Sequence, residues 1–262
     1  MFQKQIIPGI EEIAHKRIER PAREIYFNHL HNHFELLFFV SGEAKFNIDG
    51  QVFTPAPYDL LLIPAGTYHY LVPTEAVPYE NYVIGFQPGF LAEEHCRRLF
   101  SPPLIINARD DDELRGYFTR LDYYAEQYGE QDFAACSQAL VRELLTYCSY
   151  RKDALAVRVG APPSHIDEII AYINDNLEKP INAEHIAQKF LLSKSYVQNI
   201  FSQQMHIGLK KFIMQKKIHA ARADLAAGMS PSMVCEKYSF CDYSTFYRLY
   251  KKTFDASPGE KF

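Results

Sequence analysis

Apolar positions recur along this chain in two rhythms, and the change from one to the other divides it. As far as residue 86, short apolar runs of strand length alternate with turn signals, at 24–27, 36–40, 45–48, 51–54, 60–63, 68–72 and 82–86. Asp49-Gly50 stands between two of these runs, and that pair favours the positive φ angles of a tight hairpin. Strands at this spacing predict a small antiparallel barrel or sandwich. Over 110–128 and 131–151 the apolar residues instead recur every three or four positions, as in Leu114, Tyr117, Phe118 and Leu121, then Phe133, Cys136, Leu140 and Leu144. This second rhythm predicts two amphipathic helices, the first opened by acidic residues at 110–113 that suit a helix N-terminus. They are expected to cover the barrel or to pair with a second copy of the chain.

Between 153 and 163 neither rhythm continues, and Pro162-Pro163 halts a helix. The segment reads as a linker between domains at 1–152 and 164–262. Beyond it every period is helical. Ser164 caps a helix whose buried stripe is Ile166, Ile169, Ile170, Ile173 and Leu177, and Pro180 is expected to end it. Helices follow at 183–190 and 193–205, then a longer one at 209–227 closed by Gly228, then two more at 231–238 and 242–252. The expected fold class is α+β in two domains: an antiparallel β-barrel with accessory helices, then an all-helical domain.

The helical half contains a repeat. Ile186-Ala187 matches Val234-Cys235, and Val197-Gln198-Asn199-Ile200-Phe201 matches Phe246-Tyr247-Arg248-Leu249-Tyr250. Each copy is a short helix, a turn, and a second helix capped by Ser193 or Asp242, which is a helix-turn-helix used twice. In such a unit the first helix braces the second, whose exposed N-terminal face enters the major groove of DNA. The joining helix, at 1.5 Å per residue, spans about 28 Å against a DNA turn of about 34 Å. That length suits two recognition helices in successive grooves.

Charge first argues against this. The 262 residues carry a net charge of -4, with 47% hydrophobic and 23% charged residues. The sum hides an asymmetry: 15 basic against 22 acidic residues up to Pro163, and 13 against 10 after it. Residues 193–262 alone hold 11 basic and 5 acidic side chains, the balance a DNA-binding module needs. Five cysteines without a close pair indicate neither a disulfide framework nor a zinc site. The start of the chain lacks the pattern of a signal peptide, and no apolar run approaches a membrane span. A soluble, cytoplasmic protein is expected.

The last hundred residues resemble the DNA-binding domain of the AraC/XylS family of bacterial transcription regulators. The resemblance rests on Ile186-Ala187, Ser193-x-Ser195-Tyr196-Val197, Ile200-Phe201, Ile218-x-x-Ala221-Arg222-x-x-Leu225, Phe240-x-Asp242-x-Ser244-x-Phe246-x-Arg248 and Phe254-x-x-Ser257-Pro258. It implies that Ser195, Gln198 and Asn199 on the first recognition helix face bases, and Ser244, Thr245, Tyr247 and Arg248 on the second. Gln and Asn pair with adenine and Arg with guanine, while Lys194, Lys251 and Lys252 suit phosphates. This chain departs from the family with Asn199 and Ser202 where most relatives carry cations, and with Ser239 where the second turn usually has glycine. An unusual half-site is expected from these changes.

In the first half, His29-x-His31-x3-Glu35-x6-Gly42 and Pro64-x-Gly66-x2-His69 resemble the two motifs of cupin barrels, the sensor many AraC-type regulators carry. In metal-binding cupins the ligands stand at the places of His29, His31, Glu35 and His69. Even spacing on a strand puts His29, His31, His33 and Glu35 on one face, and such a set suits Zn, Mn, Fe or Ni. The same side chains, with Arg23, Tyr26, Tyr68, Tyr82 and Phe86, equally suit a polar-aromatic cavity for a sugar or another small polar effector, with no metal required. The opening glycines of both cupin motifs are replaced by Arg23 and Tyr58.

The expected function is sequence-specific transcription regulation, activation included, in response to a small molecule. The expected partners are double-stranded DNA, the effector, a second copy of the chain and RNA polymerase, without a membrane. The competing class is a metal-dependent cupin enzyme or a metal-sensing regulator built on the His29, His31, Glu35 and His69 set. Residues 1–20 are expected to form an arm that closes over the pocket.

Overall fold

The computed structural model describes residues 1–19, 30–73, 77–156 and 165–260. They form two compact units, Met1–Ala161 and Pro162–Phe262.

Among the described residues the first unit holds nine strands: β1 Phe2–Ile7, β2 Ile10–Ile18, β3 Phe34–Ser41, β4 Ala44–Ile48, β5 Gln51–Phe53, β6 Asp59–Ile63, β7 His69–Pro73, β8 Tyr79–Phe86 and β9 Ile105–Asn107. They make a six-stranded antiparallel sheet in the order β1-β2-β8-β3-β6-β9 and a three-stranded sheet in the order β5-β4-β7. The β4–β5 turn is Asp49-Gly50 with φ of 44° and 91°, as the dipeptide requires. Strands β3, β6 and β8 are apolar nearly throughout because both their faces are buried. Leu37, Phe39, Leu61, Ile63 and Val83 meet Phe46, Ile48 and Leu71 of the smaller sheet. The alternate residues Leu36, Phe38, Leu60, Leu62, Tyr82 and Ile84 face outward onto helices.

Those helices are α1 Glu93–Leu99, α2 Asp112–Gln127 and α3 Glu130–Leu155. Asp111 caps α2 by accepting from the Leu114 N–H at 2.9 Å. Phe118 of α2 stacks on Phe38 of β3 at 4.0 Å between ring centroids. Helix α3 runs three residues into the segment expected to be linker. Its last turn is held there by Lys152, whose buried ammonium donates to the carbonyls of Arg98 and Leu99 at 3.0 and 2.7 Å and also to that of Ser101. Removal from water pulls that amine down to about 8.

Instead of an arm over the pocket, residues 2–18 form two strands of the larger sheet. Strand β2 pairs with β8 from Ile10↔Phe86 to Ile18↔Tyr79 and carries β1 at the sheet edge. A bulge between Ile10 and Glu12 breaks the period of two, so no alternating run marks this strand in the sequence. Strand β9 and helix α1 were likewise not anticipated, and the run at 24–27 lies outside the described residues.

The second unit is all helical: α4 His165–Asp175, α5 Ala183–Phe190, α6 Lys194–Met205, α7 Leu209–Ala226, α8 Pro231–Lys237 and α9 Tyr243–Phe254. Helix α4 ends five residues before Pro180, where Asn176 turns the chain by donating from its backbone to Ile173 and from its side chain to the Tyr172 carbonyl. Ile218, Ala221 and Leu225 of α7 pack against Val234, Phe246 and Tyr250. Phe201 of α6 meets Phe212 edge-on at 4.9 Å. Each of the larger apolar side chains so buried stabilises the unit by roughly 1.5–3 kcal/mol. No helix among the described residues is long and apolar enough to cross a membrane.

Candidate functional site

The pairs α5–α6 and α8–α9 are two helix-turn-helix units with matching turns. In the first, Leu191 has φ of 57° and the Leu192 N–H donates to the Ala187 carbonyl at 2.9 Å. In the second, Ser239 has φ of 52° and the Phe240 N–H donates to the Cys235 carbonyl at 3.1 Å. Both are the left-handed helix ends that satisfy orphan carbonyls, made here without glycine. The second turn is one residue longer before its cap. Ser193 Oγ accepts from the Tyr196 N–H at 3.1 Å, and Asp242 accepts from the Thr245 N–H at 2.7 Å. The two N–H and O–H donors of Thr245 hold the Asp242 carboxyl below the usual carboxylate range.

From each cap the same face is buried and the same face exposed. Val197 and Phe201 are in the core, as are Phe246 and Tyr250. Ser195, Gln198 and Asn199 are exposed, as are Ser244, Tyr247 and Arg248 at the corresponding places. Thr245 differs from the expectation: it is half-buried and its hydroxyl donates to Asp242 at 2.8 Å, so its polar group serves the cap. Lys194 lies 3.0 Å from the Glu184 carboxylate, whereas Lys251 and Lys252 are exposed in the last turn of α9, where cations also suit the helix dipole. Sequence reasoning missed the exposed Tyr196 and Tyr243 beside the two caps and the exposed Lys210 and Lys211 in the first turn of α7. Their signal was position relative to the caps.

In the barrel, Glu35 at the start of β3 is buried and faces inward beside His69 of β7. His31 Nε2 lies 3.1 Å from Glu35 Oε2, and His69 Nε2 lies 4.0 Å from Glu35 Oε1. Each imidazole donates from Nδ1 to a backbone carbonyl, His31 to His33 at 2.9 Å and His69 to Thr67 at 3.0 Å, so Nε2 is the nitrogen turned toward the carboxylate. One ligand atom from each of the three side chains falls within 4.8 Å of the others. Two nitrogens and an oxygen, with Nδ1–H anchored on carbonyls, fit a first-row divalent metal. His33 stacks on His31 at 3.7 Å, over Gly85, where a Cβ would stand 2.9 Å from the ring. Burial, with His31 alongside, pulls His33 down to about 4 and keeps it neutral at neutral pH.

The structure brings His31, Glu35 and His69 together, although β3 starts only at Phe34 and both histidines before it lie outside the strand, His33 in a bend. Arg23, Tyr26 and His29 lie outside the described residues. Tyr82 and Phe86 are corrections. Tyr82 pairs with Phe38 and shares its helix-facing side, opposite to Glu35, because side chains alternate along a strand. There Tyr82 stacks on His15 at 3.8 Å and donates to Asp122 of α2 at 2.6 Å. Burial pushes its hydroxyl well above the ordinary tyrosine range.

Residues 15–154 match the AraC-like ligand binding domain family, and residues 186–262 match a helix-turn-helix domain family. The chain belongs to the AraC family of transcription regulators. Its N-terminal half is the family's ligand-binding domain and its C-terminal half the DNA-binding domain. It is 27% identical over 229 residues to the arabinose operon regulatory protein of Salmonella typhimurium, covering 84% of this chain and 80% of that protein. It is also 27% identical over 96 residues to the regulatory protein SoxS of Escherichia coli, covering 36% of this chain and 90% of that one. Among solved structures, ToxT from Vibrio cholerae matches with a TM-score of 0.39 at 11% identity, covering 96% of each chain. Both sequence relatives are regulatory proteins.

Proposed function

We propose that this AraC-family regulator reads two successive major grooves with α6 and α9 and that a small polar molecule, a sugar or similar metabolite, binds beside His31, Glu35 and His69. The observation that carries the DNA half is the matched exposure of Ser195, Gln198 and Asn199 with Ser244, Tyr247 and Arg248 on two capped helices. They are joined by an 18-residue helix that spans about 27 Å. Gln198 and Asn199 offer adenine contacts and Arg248 a guanine contact, while Lys194, Lys210, Lys211, Lys251 and Lys252 contact phosphates. The effector half rests on a buried carboxylate flanked by two imidazoles, groups that answer hydroxyls. The molecule works in the cytoplasm as a homodimer through the outer face of α2 and α3 and acts on RNA polymerase.

Thermal melting of the full chain against a panel of sugars and polar metabolites tests the effector half. One ligand should raise the midpoint of the wild type and not that of Glu35→Gln, and should change DNA affinity. A panel that moves neither property contradicts it. The convergence of three ligand atoms within 4.8 Å supports a second reading, in which a divalent metal is the signal. Elemental analysis separates the two: stoichiometric zinc, manganese, iron or nickel that disappears in His69→Ala supports the metal, and metal-free protein that responds to a metabolite excludes it.

A further inference from the structure

The two turns share a geometry, and the second is fastened by side-chain hydrogen bonds to the loop between α4 and α5. Leu191, in the left-handed position of the first turn, is 94% exposed. Ser239, in the same position of the second, is half-buried and donates from Oγ to the Glu178 carbonyl at 2.6 Å, in the loop between α4 and α5. Next to it the ammonium of Lys217, buried in the middle of α7, donates at 2.8 Å to the carbonyls of both Lys179 and Tyr238. One cation thereby joins the α4–α5 loop to the end of α8. Lys237 adds an ion pair to Glu178 at 3.5 Å and another to Asp224 at 2.8 Å, and the Tyr238 hydroxyl donates to Asp224 at 2.8 Å. Leu177 packs against the core that holds Val234, Phe246 and Tyr250.

A serine at positive φ is strained where glycine is not, so the turn alone gives it no advantage. What serine supplies is the hydroxyl that reaches Glu178. Water cannot substitute for the Lys217 bonds, because a buried ammonium that loses its carbonyls stays desolvated. We propose that Ser239 and Lys217 are positioning residues that fasten the second helix-turn-helix to the α4–α5 loop and so set the angle at which α9 meets DNA. The orientation of α9 then follows the α4–α5 loop, while α6 packs on α7 through Phe201 and Phe212. Neither residue touches a base.

The inference rests on the two-groove reading, and the test separates them. Sites are selected from random DNA with full-length wild type, and base preference is measured position by position for wild type, Arg248→Ala, Ser239→Gly and Ser239→Asn. Arg248→Ala marks the half of the site that α9 reads. Ser239→Gly should lose about five- to tenfold in affinity, the scale of one lost positioning bond. It should flatten preference in that half alone, with a thermal midpoint no lower than wild type because glycine relieves the turn. Ser239→Asn, which tolerates positive φ and donates from its amide, should restore both. Wild-type preferences confined to one half would overturn the two-groove reading and this inference with it. A two-half site on which Ser239→Gly keeps the wild-type profile, or flattens both halves equally, would overturn the inference alone.

Discussion

Asn199 and Arg248 occupy the same place on two recognition helices, two residues beyond the buried Val197 and Phe246. Their chemistry differs, since Asn pairs with adenine and Arg with guanine, so the two halves of the bound site should differ at the matching base. Arg248→Ala should cost about 1–3 kcal/mol in binding and relax preference at one position. Titration against a set of single-base variants measures this, and a uniform loss over the whole set would place Arg248 on a phosphate. Such surface positions were legible because a repeat with two caps fixes which residues face outward. Thr245 was not, because choosing between a base and the neighbouring Asp242 depends on a 2.8 Å contact that spacing does not encode. Tyr82 failed for a related reason: strand parity relates it to Phe38, but only the pairing register tells which face looks at helices.

At the scale of elements, the caps and turns carry the local specification. Ser193→Ala should destabilise the second unit by about 0.5–2 kcal/mol, read by thermal melting, because the Tyr196 N–H loses its acceptor. Asp242 adds a pH dependence. Its folded carboxyl sits below the ordinary range, so its contribution is complete at neutral pH and is lost as pH falls below about 4. Asp242→Asn keeps a capping oxygen without the titration and should flatten that acid limb; an unchanged limb would assign it to other carboxylates. Apart from α1, the helices and the Asp49-Gly50 hairpin were readable from pattern and turn chemistry. Strands β1 and β2 were not, since bulges and the polar and charged side chains of both strands erase the alternation. The extent of α3 past Arg151 depends on Lys152 reaching carbonyls around residue 100, a contact distant in sequence.

Across the whole molecule, a net charge of -4 conceals a basic DNA-binding half behind an acidic sensor half. Each half has its own core. Phe118→Ala removes a ring stacked on Phe38 in the first unit and should cost about 3–5 kcal/mol there. Calorimetry should show that unit's transition move down while the helical unit's transition stays, and a common shift would mean that the two unfold together. With 11 cations over residues 193–262 but few on α6, affinity should fall steeply with salt. The central claim is that both helix-turn-helix units of one chain engage DNA together. Hydroxyl-radical footprinting of the full-length wild type on its selected site tests it most directly. For each protomer bound, two protected patches about one helical turn, roughly 10 base pairs, apart on one face of the duplex are predicted. A single patch, unchanged when Arg248 is replaced by alanine, would contradict it.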